Sequence, residues 1–160
     1  MAVDMFMKLE GIKGESKDSV HKDEIDVLAW SWGLSNSGTA HTGGGAGAGK
    51  ANFQDISFTK WIDLASTSLM LSAANGKHIK SAVLVVRKAG EHPLEYVTIT
   101  MNECLITSIS TGGSGGEDRL TENVTINFAK VEVKYKEQTP TGAKGGEGDF
   151  KWNIQENKTF

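Results

Sequence analysis

The chain has one cysteine, Cys104. No disulfide can close within it, which suits folding in a reducing compartment. Its start, M-A-V-D-M-F-M-K-L-E, lacks both the positive segment and the apolar run of a signal peptide. If the protein leaves the cell, it is expected to use another route. No stretch approaches the roughly 20 apolar residues of a spanning helix, so membrane insertion is not expected. The formal charge of −3 leaves no basic footprint for nucleic acid. His21, His41, His78 and His92 fall in separate loop-like stretches without metal-ligand spacing, so no metal site is expected. Acidic residues are scattered without a recognisable pair. Cys104 sits in a strand pattern and reads as a small buried hydrophobe rather than a nucleophile. Neither catalysis nor a cofactor has residues to rest on, and an enzyme is not expected.

What is present is ordinary globular material: 160 residues, 38% hydrophobic and 23% charged. That reads as one domain, 1–160, able to bury about two thirds of its unfolded surface. The dominant stretch is 118–136, which contains neither Gly nor Pro and alternates apolar and polar residues. Leu120, Val124, Ile126 and Phe128 hold one phase; Val131, Val133 and Tyr135 hold the other. A one-residue shift turns every side chain to the opposite face, so a bulge or bend is expected at Phe128–Ala129, with the strand serving two sheets. The other segments are expected to pair along it.

Residues 3–9 alternate as a first strand, with Phe6 on the polar side in need of cover of its own. Residues 11–24 are polar and loop-like, with at most a turn of helix. Residues 25–34 form a second strand. Leu28, Trp30 and Trp32 are expected in the core, and Ile25, Val27, Ala29, Ser31 and Gly33 on the other face. Residues 36–52 form a glycine-rich extended loop. Residues 53–60 alternate again, with Ile56 and Phe58 on one side.

Residues 61–74 are the helix candidate, from Trp61, Ile62, Ala65, Leu69 and Ala73 at helical spacing. Thr59 is the expected cap, Asp63 the acidic first-turn residue, and Asn75–Gly76 the stop. This helix is expected to cover an open end or edge of the sheets. Strands are expected at 81–88, 95–101 and 104–110, then a turn-rich connector at 111–117. Residues 140–149 read as a flexible linker before a short last strand carrying Phe150, Trp152 and Ile154. About eight strands and one helix make an all-β barrel or sandwich with a helical appendage. Apolar residues on both faces, Ile25/Val27 and Val83/Val85, imply a full interior or a subunit interface.

Gly44-x-x-x-x-Gly49-Lys50 matches a phosphate-cradling loop up to its last position, where Ala51 replaces the metal-binding hydroxyl. A strand should precede that motif and a helix should come after it. Here 35–42 is polar and 53–58 alternates, so a flexible glycine loop is the better reading. The cluster Gly112 to Gly116 reads as a turn rather than an anion nest.

The opening 1–18, the segment E-I-D-V-L-A-W-S-W-G, the helix start F-T-K-W-I-D, the run T-G-G-S-G-G-E-D-R-L-T-E-N-V-T-I-N-F-A-K-V and the terminal W-N-I together resemble the haemolysin-coregulated protein (Hcp) family. These are the tube proteins of bacterial type VI secretion. The resemblance implies a β-barrel of two antiparallel sheets with one α-helix at the side, assembling into a hexameric ring. Rings stack into an expelled tube inside a sheath and behind a spike, and effectors bind in the lumen. It implies a structural protein of the bacterial cytoplasm, secreted through the apparatus, with no cofactor. No further toxin domain is expected beyond Phe160. In such a ring Ser31, opposite the tryptophans, is expected to line the lumen. The glycines Gly43, Gly44, Gly45, Gly47 and Gly49 with Lys50 are expected to mediate ring stacking. The alternatives are the tube protein of another phage-tail-like contractile machine, or a nucleotide-binding protein using Gly44–Lys50.

Overall fold

A computed structural model describes residues 2–38, 49–90, 93–140 and 144–160. Its elements are β1 (Val3–Leu9), β2 (Ile25–Ser31), β3 (Leu34–Ser35), β4 (Asn52–Phe53), β5 (Ile56–Trp61), α1 (Ala65–Asn75), β6 (Ile79–Lys88), β7 (Glu95–Thr111), β8 (Thr121–Asn127), β9 (Lys130–Gln138) and β10 (Lys144–Asn153). The strands run β10-β9-β7-β6-β1-β2-β5-β8, and β8 pairs back onto β7. That closure makes a six-stranded antiparallel barrel with β9 and β10 as an extension.

The organising strand is β7 rather than 118–136. It is one strand of 17 residues and pairs with β6, β8 and β9. The expected break at 102–103 is absent. Glu103 instead takes a left-handed φ of 55° within the strand, a local kink that leaves both halves extended. The phase change at Phe128–Ala129 is where it was expected. It ends β8 and begins β9, and the Ala129 N–H donates to the Asn102 carbonyl. The strand β7 therefore runs through both sheets, and β8 and β9 each lie along one half of it.

Met7, Leu9, Ile25, Ile56, Phe58, Leu84, Met101, Val124 and Ile126 form the heart of the core, each at most 2% exposed. The second strand corrects the expected faces. Ile25 and Val27 are buried, and Leu28 is exposed. A register shift between Val27 and Ala29 inserts one residue, so the inward phase passes from Val27 to Trp30 and Trp32, which pack on the core. Periodicity alone cannot place such a bulge.

The helix starts four residues later than expected. Trp61 ends β5, and Thr59 is a strand residue bonded to Asn123 (2.6 Å). Capping falls to Asp63, whose carboxylate accepts the Ala65 N–H (2.9 Å), while the Asp63 N–H donates to Ser66 Oγ (2.9 Å). Gly76, at φ 68°, ends the helix as expected. The buried side of α1 packs against β7.

Residues 144–149 are strand, not linker: β10 pairs with β9 from Lys144 to Asn153, with a bulge between Lys144 and Glu147. Gly145, Gly146 and Gly148 hide this in the sequence, because glycine is a poor strand former. An edge strand tolerates it, and glycines, charges and a bulge also blunt that edge. Phe150 and Trp152 stack at 6.5 Å between ring centroids and continue an aromatic row through Phe53 and Trp32 to Phe128.

Candidate functional site

The second sheet, β2-β5-β8-β7, has two unlike faces. Its inner face carries Trp30, Phe58, Val124 and Ile109. Its outer face is set by the register. Ala29 lies beside Thr59, Thr59 beside Asn123, and Asn123 beside Ser110. In the next row Ser31 lies beside Ser57, Ser57 beside Thr125, and Thr125 beside Ser108. Two rows cross four strands with no side chain larger than asparagine and none charged. The side chains satisfy one another: Ser108 and Thr125 hydroxyls are 2.6 Å apart, and Thr107 and Thr125 hydroxyls 2.7 Å. At one end Asp55 accepts from Thr107 (2.7 Å) and from Asn127 (2.8 Å). Ser31 is exposed, opposite the half-buried Trp30.

Strands that alternate apolar residues with Ser, Thr and Asn are ordinary for a half-solvated sheet. What sets this face apart is the lack of lysine and glutamate, the usual outward residues. The bulge in β2 makes it possible, because it brings Ala29 and Ser31 outward together. Sequence reading found Ser31 and missed Ser57, Thr59, Asn123, Thr125, Ser108 and Ser110. Their signal was a small polar residue at two successive outward positions of each of three more strands.

The glycine-rich stretch leaves this sheet at the far end of β2 and returns at the start of β5. Its base is a hairpin stem: β3 pairs with β4, the Gly49 N–H donates to the Ser37 carbonyl (3.2 Å), and Asn36 Nδ2 donates to the Gly49 carbonyl (2.6 Å). Trp32 Nε1 donates to the Gln54 carbonyl (2.9 Å) below the stem. Lys50 is exposed. Gly43, Gly44, Gly45 and Gly47 lie outside the described residues. After Lys50 the chain enters strand β4 and then β5, not the helix that a phosphate-cradling loop opens.

A second polar cluster lies inside the barrel. Lys60 and Glu122, register partners on β5 and β8, are both fully buried. Lys60 Nζ donates to Glu122 Oε2 (2.9 Å), Ser66 Oγ (3.2 Å) and the Trp61 carbonyl (2.7 Å), and pairs with Asp63 Oδ1 at 2.8 Å. The Ser66 hydroxyl also lies 2.9 Å from Glu122 Oε2, and Glu122 Oε1 has no protein partner. Sequence reading passed over this pair, although Lys60 is in phase with Ile56 and Phe58, and Glu122 with Val124 and Ile126. Cys104 is buried, and burial pushes its thiol up to about 12, so it is not a nucleophile near neutrality.

The fold is thus a closed barrel with a side helix, a hairpin stem and one small-residue sheet face. Residues 6–135 match the family model described as "Type VI secretion system effector, Hcp". The chain is 60% identical over 159 residues to protein hcp1 of Pseudomonas aeruginosa, covering 98% of each. Among solved structures, one of a type six secretion system protein is similar at a TM-score of 0.93 and 30% identity, covering 99% of this chain and 100% of that one. Hcp1 from Salmonella typhimurium is similar at 0.81 and 35%, covering 100% of both. The chain belongs to the Hcp family of type VI secretion. Among the described residues, no helix is long and apolar enough to cross a membrane.

Proposed function

We infer that this chain is the tube subunit of a type VI secretion apparatus. Six copies close into a ring, rings stack head to tail, and the tube is expelled with effectors in its bore. The sheath around the tube and the spike at its tip are its other partners. The protein is made in the cytoplasm and leaves through the apparatus. The module has no catalytic task.

The observation that carries this reading is the outer face of β2-β5-β8-β7, where two rows of small residues cross four strands without a charge. Its bounding edges, residues 28–31 of β2 and 105–111 of β7, have no strand partner on their outer side among the described residues. The two edges differ, and contact between unlike surfaces generates a closed ring when its rotation returns to the start. In that ring the small polar face lines the bore. It passes cargo without ion pairs to break, and its hydroxyls and amides hold cargo by weak, exchangeable hydrogen bonds.

Sedimentation and electron microscopy test the ring. A hexamer with an obligate interface, about 2,000 Å² or more per contact, is expected at micromolar concentration. A lone 17.2 kDa species overturns the reading.

Ser31→Gln tests the bore. Glutamine extends into the lumen from an exposed position, so the variant is expected to fold and form rings while losing effector retention in a pull-down. Dissociated rings instead place Ser31 in a subunit contact.

A further inference from the structure

The segment between β1 and β2 crosses the outside of the first sheet as a strap. It folds on itself: the Gly14 N–H donates to the Asp23 carbonyl (2.7 Å), the Ser16 N–H to the Glu24 carbonyl (3.0 Å), and the Asp23 N–H to the Ser16 carbonyl (3.0 Å). At Gly14 a Cβ would stand 2.5 Å from the Glu24 carbonyl oxygen, so the turn requires glycine. Beneath the strap lie Phe6 and its register partner Val85, 4% and 5% exposed on the face turned away from the core. The strap is the cover that Phe6 demanded.

Two side chains hold it down, both against the Phe6 ring. Arg87 of β6 lies 5.1 Å from the ring centroid. It donates to both carboxylate oxygens of Asp18, at 3.0 and 2.7 Å, and to Asp4 of β1 at 3.1 Å. The Asp18 carboxylate also accepts the N–H groups of Val20 and His21. The Arg87 bond holds the Asp18 carboxyl far below the usual carboxylate range, so this half of the clasp is insensitive to pH near neutrality. His21 stacks on Phe6 at 4.5 Å and 15°. Its Nδ1 is 2.9 Å from Glu24 of the strap, and its Nε2 is 2.6 Å from Glu95 of β7.

A neutral imidazole has one N–H. With a carboxylate oxygen at hydrogen-bond distance from each ring nitrogen, only the imidazolium donates to both. In the neutral ring one lone pair faces a carboxylate. We propose that His21 is a proton-operated latch: protonated, it ties the strap to β7, and on losing its proton it releases the strap and uncovers Phe6 and Val85. The charged groups bonded within the clasp are Glu24 and Asp18 from the strap, Asp4 from β1, Arg87 from β6 and Glu95 from β7. Acids outnumber the one cation, so the surroundings favour the charged ring. Burial, the largest single influence, pushes the imidazole down, but the bonds to Glu95 and Glu24 outweigh it and leave it raised. A raised histidine stabilises the closed state fully below the free imidazole value, about 6.5. That contribution is lost as pH rises through the bound value.

The test tracks the ring nitrogens of His21 by NMR in the assembled protein between pH 5.5 and 9, alongside amide exchange of residues 14–24 corrected for hydroxide catalysis. A histidine-containing model peptide serves as the reference. Expected are two protonated ring nitrogens, a His21 midpoint above that of the peptide, and strap opening that grows up to tenfold per pH unit beyond it, as release of one proton requires. Glu95→Gln is expected to lower the midpoint, and His21→Gln to make strap opening independent of pH. A His21 that titrates at or below the peptide, or strap exchange that is flat with pH in the unaltered protein, overturns the latch.

Discussion

Replacing Lys60 with methionine is expected to cost the subunit about 3–5 kcal/mol, the range for breaking a buried ion pair by removing one partner. The cost comes from the group left behind. Glu122 is fully buried, and Lys60 is the cation that holds it. Its Oε1 already lacks a protein partner, so without Lys60 it keeps only the Ser66 hydroxyl. Asp63 loses the same cation while still capping α1, so the helix start is weakened as well. At about 2–4 °C per kcal/mol for a chain of this size, the transition falls by about 10 °C. The double variant Lys60→Met, Glu122→Leu is expected to recover most of the loss, since an apolar pair of similar volume fills the site with no charge to desolvate. Urea unfolding at fixed protein concentration checks both, because assembly itself shifts apparent stability. A single variant within about 1 kcal/mol of the parent, or a double variant no better than the single, counts against this account.

Shortening the arm is expected to abolish tube growth and secretion while leaving rings intact. The change replaces residues 43–48 by two residues. Gly49 stays, because its N–H and carbonyl pin the stem to Ser37 and Asn36. The replaced stretch, G-G-G-A-G-A, has so little apolar area that its removal costs the subunit little. Its glycines let another backbone approach closely. Six weak contacts around one ring act together, so the loss is far larger for stacking than for any single contact. Electron microscopy of the purified variant and a secretion assay read the outcome. Tubes of normal length make the arm a mere linker, and loss of rings makes it part of the lateral contact.

Regular alternation made most of the strands legible, and the phase slip at Phe128–Ala129 marked the passage between sheets because both flanking runs were long. What stayed hidden had local causes with no periodic signature. The bulge after Val27 exchanged the faces of the second strand. The kink at Glu103 joined two expected strands into one. The glycines of β10 looked like a linker because edge pairing needs backbone rather than side chains. Lys60 and Glu122 went unremarked in the sequence, although both share the inward phase of their apolar neighbours. Charge and phase disagreed at both positions, and the pairing of β5 with β8 explains why phase won. Of the polar face only Ser31 was found, since the rest becomes a surface only when four strands lie side by side.

The course of β7 has a mechanical consequence. Each strand of the second sheet runs between the arm end, where β3 and β4 emerge, and the helix end, where α1 and the 112–120 connector sit. A load along that direction pulls parallel to the strands and across the ladder hydrogen bonds, which stand perpendicular to them. The rungs then share the load in shear and must fail together, instead of opening one at a time like a zipper. Because β7 continues unbroken into the first sheet, tension entering one sheet passes by covalent backbone into the other. The subunit is stiff along these strands, and its weak direction lies across them, at the blunted edge of β10.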